Sequence, residues 1–120
     1  MKSGVILAVA GARTFTDYEV FCAKMELAVA SWGMPERVVS GGARGADSLA
    51  RRWCKEHHVP IDEKIPDWEH NGRGAALMRN TEIVADATHL IAFPSHSGSG
   101  TQDTMRKAEK KGIPQIIYWI

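Results

Sequence analysis

The sequence predicts a three-layer α/β/α sandwich, Rossmann-like, on a mainly parallel five-stranded sheet. Three observations predict it. Short apolar runs alternate with longer stretches of three-four helical spacing, in the order β-α-β-α-β-α-β-α-β. Runs such as VILAVA (5–10) and HLIAF (89–93) are near-continuously apolar, which suits strands buried on both faces. Two glycine-rich segments each follow a strand and open a helix. The 120 residues read as one domain, 1–120, with no linker or internal repeat.

Residues 5–10 form the first strand. Lys2 ahead of this run resembles a short signal peptide, but a run of about eight apolar residues leading into a Gly-Ala-Arg turn reads as a buried strand. Asp17 caps a first helix reaching Trp32, with Val20, Phe21, Leu27 and Ala28 at core spacing, interrupted by Lys24 and Ser31. Residues 37–40 (RVVS) are the second strand. Residues 47–57 are the second helix, with Leu49, Ala50, Trp53 and Cys54 inward. A third, weaker strand covers 60–65 and closes at Pro66; 67–72 is a loop. The third helix covers 73–85, with Ala76, Met78, Ile83 and Val84 available for burial. The fourth strand (89–93) leads through a glycine-serine loop to a helix over 101–111, with Gly112 at its C-terminal cap. The last strand is 115–119, which makes Trp119, like Trp53, a core residue.

Composition narrows the function classes. Hydrophobic residues at 44% and charged residues at 24% are ordinary for a globular chain and exclude disorder. A net charge of +1 gives no case for wholesale binding to nucleic acid or membrane; Arg51, Arg52 and Lys55 come nearest to a basic cluster. No stretch approaches the roughly 18 apolar residues of a membrane span. Cys22 and Cys54 lie in helical stretches without metal spacing, so free thiols in a reducing compartment, the cytoplasm, are expected. None of the five histidines has metal-ligand spacing, and no metal or required cofactor is expected. Apolar terminal strands suggest pairing into a homodimer through a helix or an edge.

Right-handed crossovers place every strand-to-helix loop on one edge of the sheet, where ligands of open α/β folds bind near the reversal of strand order. With strand one central and strands two and four beside it, three loops surround one cleft. The first is Gly11-Ala12-Arg13, a small pair allowing close approach and a guanidinium suited to phosphate or carboxylate. The second is Ser40-Gly41-Gly42-Ala43-Arg44-Gly45-Ala46-Asp47, which reads either as an anion-binding loop before a helix start or as a tight turn capped by Asp47. It has neither Walker A nor GxGxxG spacing. The third runs from Pro94 through Gly98, Ser99, Gly100 and Thr101. Arg79-Asn80 on the third helix could contact phosphate and sugar or base, or form an exposed face. His96 reads as a solvated loop histidine, and Trp68 as the best candidate for stacking on a base.

These segments, AVAGARTFTD, VVSGGARGAD, DWEHNGRGAALMRN and AFPSHSGSGT, resemble the SLOG superfamily, which joins DNA-processing protein A and the Lonely Guy proteins. The resemblance is greatest to its short stand-alone YspA-like branch and spans about residues 5–112. It implies a Rossmann-like fold binding a nucleotide or nucleotide-derived ligand. On it, Gly11 and Arg13 match the first loop and Gly41, Gly42, Gly45 and Asp47 the second. Arg79 and Asn80 match the helical pair, and Gly100 and Thr101 the fourth-strand loop. Lonely Guy enzymes hydrolyse the N-glycosidic bond of nucleoside monophosphates with a glutamate three residues after the threonine of PGGxGTxxE. That position is Thr104 here, preceded by Asp103.

The expectation is therefore a nucleotide-binding protein acting as a sensor or in processing. An N-glycoside hydrolase with Asp47 or Asp103 as catalytic carboxylate is the alternative. Single-stranded nucleic-acid binding is a third reading, which the near-neutral charge argues against.

Overall fold

The computed structural model describes residues 4–120. Lys2, which bears on the signal-peptide reading, lies outside the described residues. Five strands alternate with helices: β1 Ile6–Gly11, α1 Tyr18–Trp32, β2 Arg37–Ser40, α2 Ala46–His57, β3 Ile61–Glu63, α3 Trp68–Asn71, α4 Ala75–Asp86, β4 His89–Phe93, α5 Gly100–Lys111 and β5 Gln115–Ile117. The sheet order is β3-β2-β1-β4-β5 and every pairing is parallel. β1 is central between β2 and β4, and strand order reverses between β1 and β4. Gly11 pairs with Phe93, so these two strands end level at the carboxyl edge.

Alternation along the strands sorts the core into two layers. Leu7, Val9, Val38, Ile91 and Phe93 face α1 and α2, where they meet Phe21, Met25, Ala50 and Trp53. Phe93 packs on Phe15 at 4.8 Å and on Phe21 at 5.2 Å between ring centroids. Ala8, Ala10, Val39, Leu90 and Ala92 face α4 and α5, against Ile83, Val84 and Ala108. Large side chains thus fill one face. Alanines dominate the other, and there they leave room at its upper end for a cavity.

Several expectations change in detail. Residues 67–72 are not all loop: α3 forms there, capped by Asp67, whose Oδ1 accepts from the His70 N–H at 3.2 Å. A 3₁₀ turn over Gly72–Gly74 follows, and the long helix starts at Ala75. The α1 core stripe is Phe21, Met25 and Ala28, a four-three spacing that leaves Leu27 exposed. Met78 of α4 is exposed as well. β5 ends at Ile117, so Trp119 is not core. It is 44% exposed and stacks on His96 beyond the sheet edge. Asp17 does cap α1, accepting from the Val20 N–H at 3.1 Å. Cys22 and Cys54 are free thiols, and burial pushes that of Cys54 up to about 12.

Candidate functional site

The loops after β1, β2 and β4 meet α4 around a cavity of about 530 Å³ at the carboxyl edge. Gly11, Ala12, Arg13, Gly41, Asp47, Arg79, Asn80, Gly98, Gly100 and Thr101 all line it. The three loops, separate in sequence, therefore line one cavity. Five predicted residues stand behind or beside the wall. Ser40 and Gly45 are buried beneath the second loop, and Pro94 is buried at the end of β4. Gly42 and Trp68 line a smaller neighbouring cavity of about 380 Å³.

The first two loops are stitched to each other. The Ala12 N–H donates to the Phe93 carbonyl at 3.0 Å, and the Ala12 carbonyl accepts from Ala46 at 3.3 Å and Phe15 at 3.2 Å. This close approach explains Gly45, which has φ +73 and faces the Ala12 and Arg13 backbone where a Cβ would stand. It also explains Gly11, where a Cβ would press on Ala46 and Phe93.

Asp47 resolves the ambiguity of the second loop. It is in the first turn of α2, behind an N-cap at Gly45. Its Oδ2 turns back to accept from the Ala43 N–H at 3.1 Å. The carboxylate thus occupies part of the space in which backbone donors would meet an external anion. Asp47 is only 6% exposed, yet it reaches the cavity wall. Burial pushes its carboxyl up to about 6, against the opposing pull of the Ala43 N–H and of the Arg79 charge.

Arg79 and Asn80 are not an exposed face. The Arg79 Nη1 donates to the Gly41 carbonyl at 2.9 Å and its Nε to the Asn80 Oδ1 at 3.0 Å. Asn80, 5% exposed, passes the connection on: its Nδ2 donates to the Gly100 carbonyl at 3.3 Å and to Asp103 at 3.2 Å. The pair ties the second loop to the start of α5. Burial lowers the Arg79 pKa from its ordinary value, and the nearby Arg13 charge pushes the same way, opposed by Asp47.

α5 starts differently from α1 and α3. Its N-cap, Ser99, makes no side-chain hydrogen bond, so the N–H groups of its first turn keep the polarity that favours an anion. Gln102, a residue sequence reading missed, holds the preceding loop by donating to Gly98 at 2.8 Å and Ser95 at 3.3 Å. Thr104, also missed as a wall residue, lines the cavity. Asp103 does not. Its Oδ2 accepts from Lys107 at 2.7 Å as well as from Asn80. Among the described residues Asp47 is therefore the one carboxylate on the cavity wall, against Arg13, Arg73 and Arg79. Among the described residues no group of three His, Cys, Asp or Glu side chains could hold a metal ion. No helix among them is long and apolar enough to cross a membrane.

An all-parallel sheet, with a cavity where its strand order reverses, defines a Rossmann-like α/β protein of the doubly wound class. Within that class the chain belongs to the YspA, cpYpsA-related SLOG family, whose model matches residues 5–70, from β1 into α3. It is 44% identical over 87 residues to the Gene 61 protein of Mycobacterium phage D29, a match covering 68% of this chain and 70% of that protein. No solved structure matches the chain significantly. The family match contains the first two loops. Arg79-Asn80 and the α5 start lie beyond it and join the site through folding.

Proposed function

We propose that this protein binds a nucleotide or nucleotide-derived small molecule in the large cavity, as a sensor or in processing. The observation that carries this reading is the convergence of three strand-end loops on a wall bearing three guanidiniums and one carboxylate. The α5 N-terminus, uncapped by a side chain, takes phosphate. Arg13 adds charge from the first loop. Asp47 and Asn80 are the groups for sugar hydroxyls. Membership of the SLOG family points to the same ligand class. Mass spectrometry of small molecules retained on natively purified protein, with a thermal-shift panel of nucleotides, tests it. A retained nucleotide and a matching shift are expected. Nothing nucleotide-like retained and no shift would refute it.

Asp47 favours a second reading, hydrolysis of the N-glycosidic bond. A carboxyl held near 6 on the cavity wall can give or take a proton near neutrality. Base release from a bound nucleotide, abolished by Asp47→Asn, would establish it. Tight binding with no turnover would end it.

A further inference from the structure

On the far side of the Arg79–Gly41 hydrogen bond, the smaller cavity continues from the larger one, and Arg13, Gly41, Ala43 and Arg79 line both. Its chemistry differs. Arg44 and Arg51 add two guanidiniums to those of Arg13 and Arg79, and no carboxylate is among the described residues that line it, Glu63 lying behind Gly42. Arg51 is paired with Glu63 at 2.7 Å, but the side chains of Arg13 and Arg44 make no hydrogen bond or ion pair with any described residue. The opposite wall is apolar: Ile65, Pro66 and Trp68. Trp68 is 54% exposed and Ile65 65%. α3, which carries Trp68, buries none of its residues, so the indole is not there to fill a core. Two unpaired guanidiniums, Arg13 and Arg44, thus share this cavity with an exposed aromatic side chain, and Arg13 also lines the proposed nucleotide cavity.

We propose that this smaller cavity is a subsite for the second nucleoside of a pyrophosphate-bridged dinucleotide. One nucleoside occupies the large cavity, the bridging phosphates cross at Arg13 and Arg79, and the second base lies on Trp68, with Arg44 beside it. Two guanidiniums at the crossing match a bridge of two phosphates, and an exposed indole offers any base a stacking face. The inference rests on the nucleotide reading of the large cavity.

Calorimetric titration with AMP, GMP, CMP and UMP, and with the pyrophosphate-bridged dimer of each, separates the two claims. At least one dimer is expected to bind about 10- to 100-fold more tightly than its monomer, the gain one stacked base supplies. Trp68→Ala should bring that ratio to about one, Trp68→Phe should keep most of it, and Arg44→Ala should reduce it. Both positions are exposed, and unchanged melting temperatures would show the variants folded. Monomers that bind as tightly as their dimers, or a dimer advantage that survives both Trp68→Ala and Arg44→Ala, would overturn the subsite and leave the large cavity as proposed. Failure of every monomer and dimer to bind would overturn both.

Discussion

Asp47→Asn should make the protein more stable, and by an amount that depends on pH. The carboxyl has a pKa near 6 in the fold against an ordinary value of 3.8. The cause is burial, and no ion pair among the described residues joins it to Arg79. Two units correspond to about 3 kcal/mol. The folded state favours the protonated acid. Below pH 3.8 the side chain is neutral in both states and folding carries no ionisation cost. The cost grows as pH rises and is complete above about 6, where the folded carboxyl ionises. Asparagine cannot ionise, and its Oδ1 can still accept from the Ala43 N–H. The stability advantage of the variant should therefore grow by about 2.5 kcal/mol between pH 4 and pH 8. Urea unfolding of both proteins at unit pH steps measures it. A difference that stays flat with pH would refute the desolvation argument. One that shrinks as pH rises would mean that Arg79 stabilises the carboxylate more than burial opposes it.

Other outcomes follow from the same geometry. Arg13→Ala should leave urea stability within about 0.5 kcal/mol, since the side chain is exposed and unpaired, while nucleotide affinity measured by calorimetry falls about tenfold or more. Arg79→Met leaves the Gly41 carbonyl and the Asn80 Oδ1 without their donor; urea unfolding should show a loss of about 1–3 kcal/mol, and nucleotide binding should weaken as well. Gly45→Ala sets a Cβ against the Ala12 carbonyl at a positive φ, so the calorimetric melting temperature should drop by about 6–10 °C, from about 2 kcal/mol of strain. An unchanged melting temperature there would show that the first two loops can part without cost.

Much of this protein was legible before folding because its signals are local. Runs such as VILAVA and HLIAF can be buried on both faces only in a covered parallel sheet, and the helical stretches between them supply the cover. Crossover handedness then put all the strand-end loops on one edge. Asp17 and Gly112 mark helix ends through hydrogen bonds within a few residues of themselves. Where a reading depended on partners distant in sequence, it changed. Trp119 follows an apolar run but falls past the last ladder pairing, so it stacks on His96 instead of entering the core. The stripe of α1 shifted to Met25 because the layer it meets, not its own periodicity, selects the buried face. α3 escaped notice because one turn is too short to show a period.

The amino-acid order by itself determined the α/β class, the glycine-bearing turns and the residues brought to the carboxyl edge, since these depend on backbone sterics and hydrophobic period. Tertiary structure alone decided what those residues do there. Asp103 and Asp47 are both helix-first-turn acids by sequence. Lys107, one turn along α5, pairs with Asp103, and packing of α4 on α5 adds Asn80, away from the cavity wall. Docking of the first loop on α2 buries Asp47 at the cavity, with the Ala43 N–H as donor and a raised pKa. Desolvation is set by the atoms that surround a group in space, and no spacing along a chain records them.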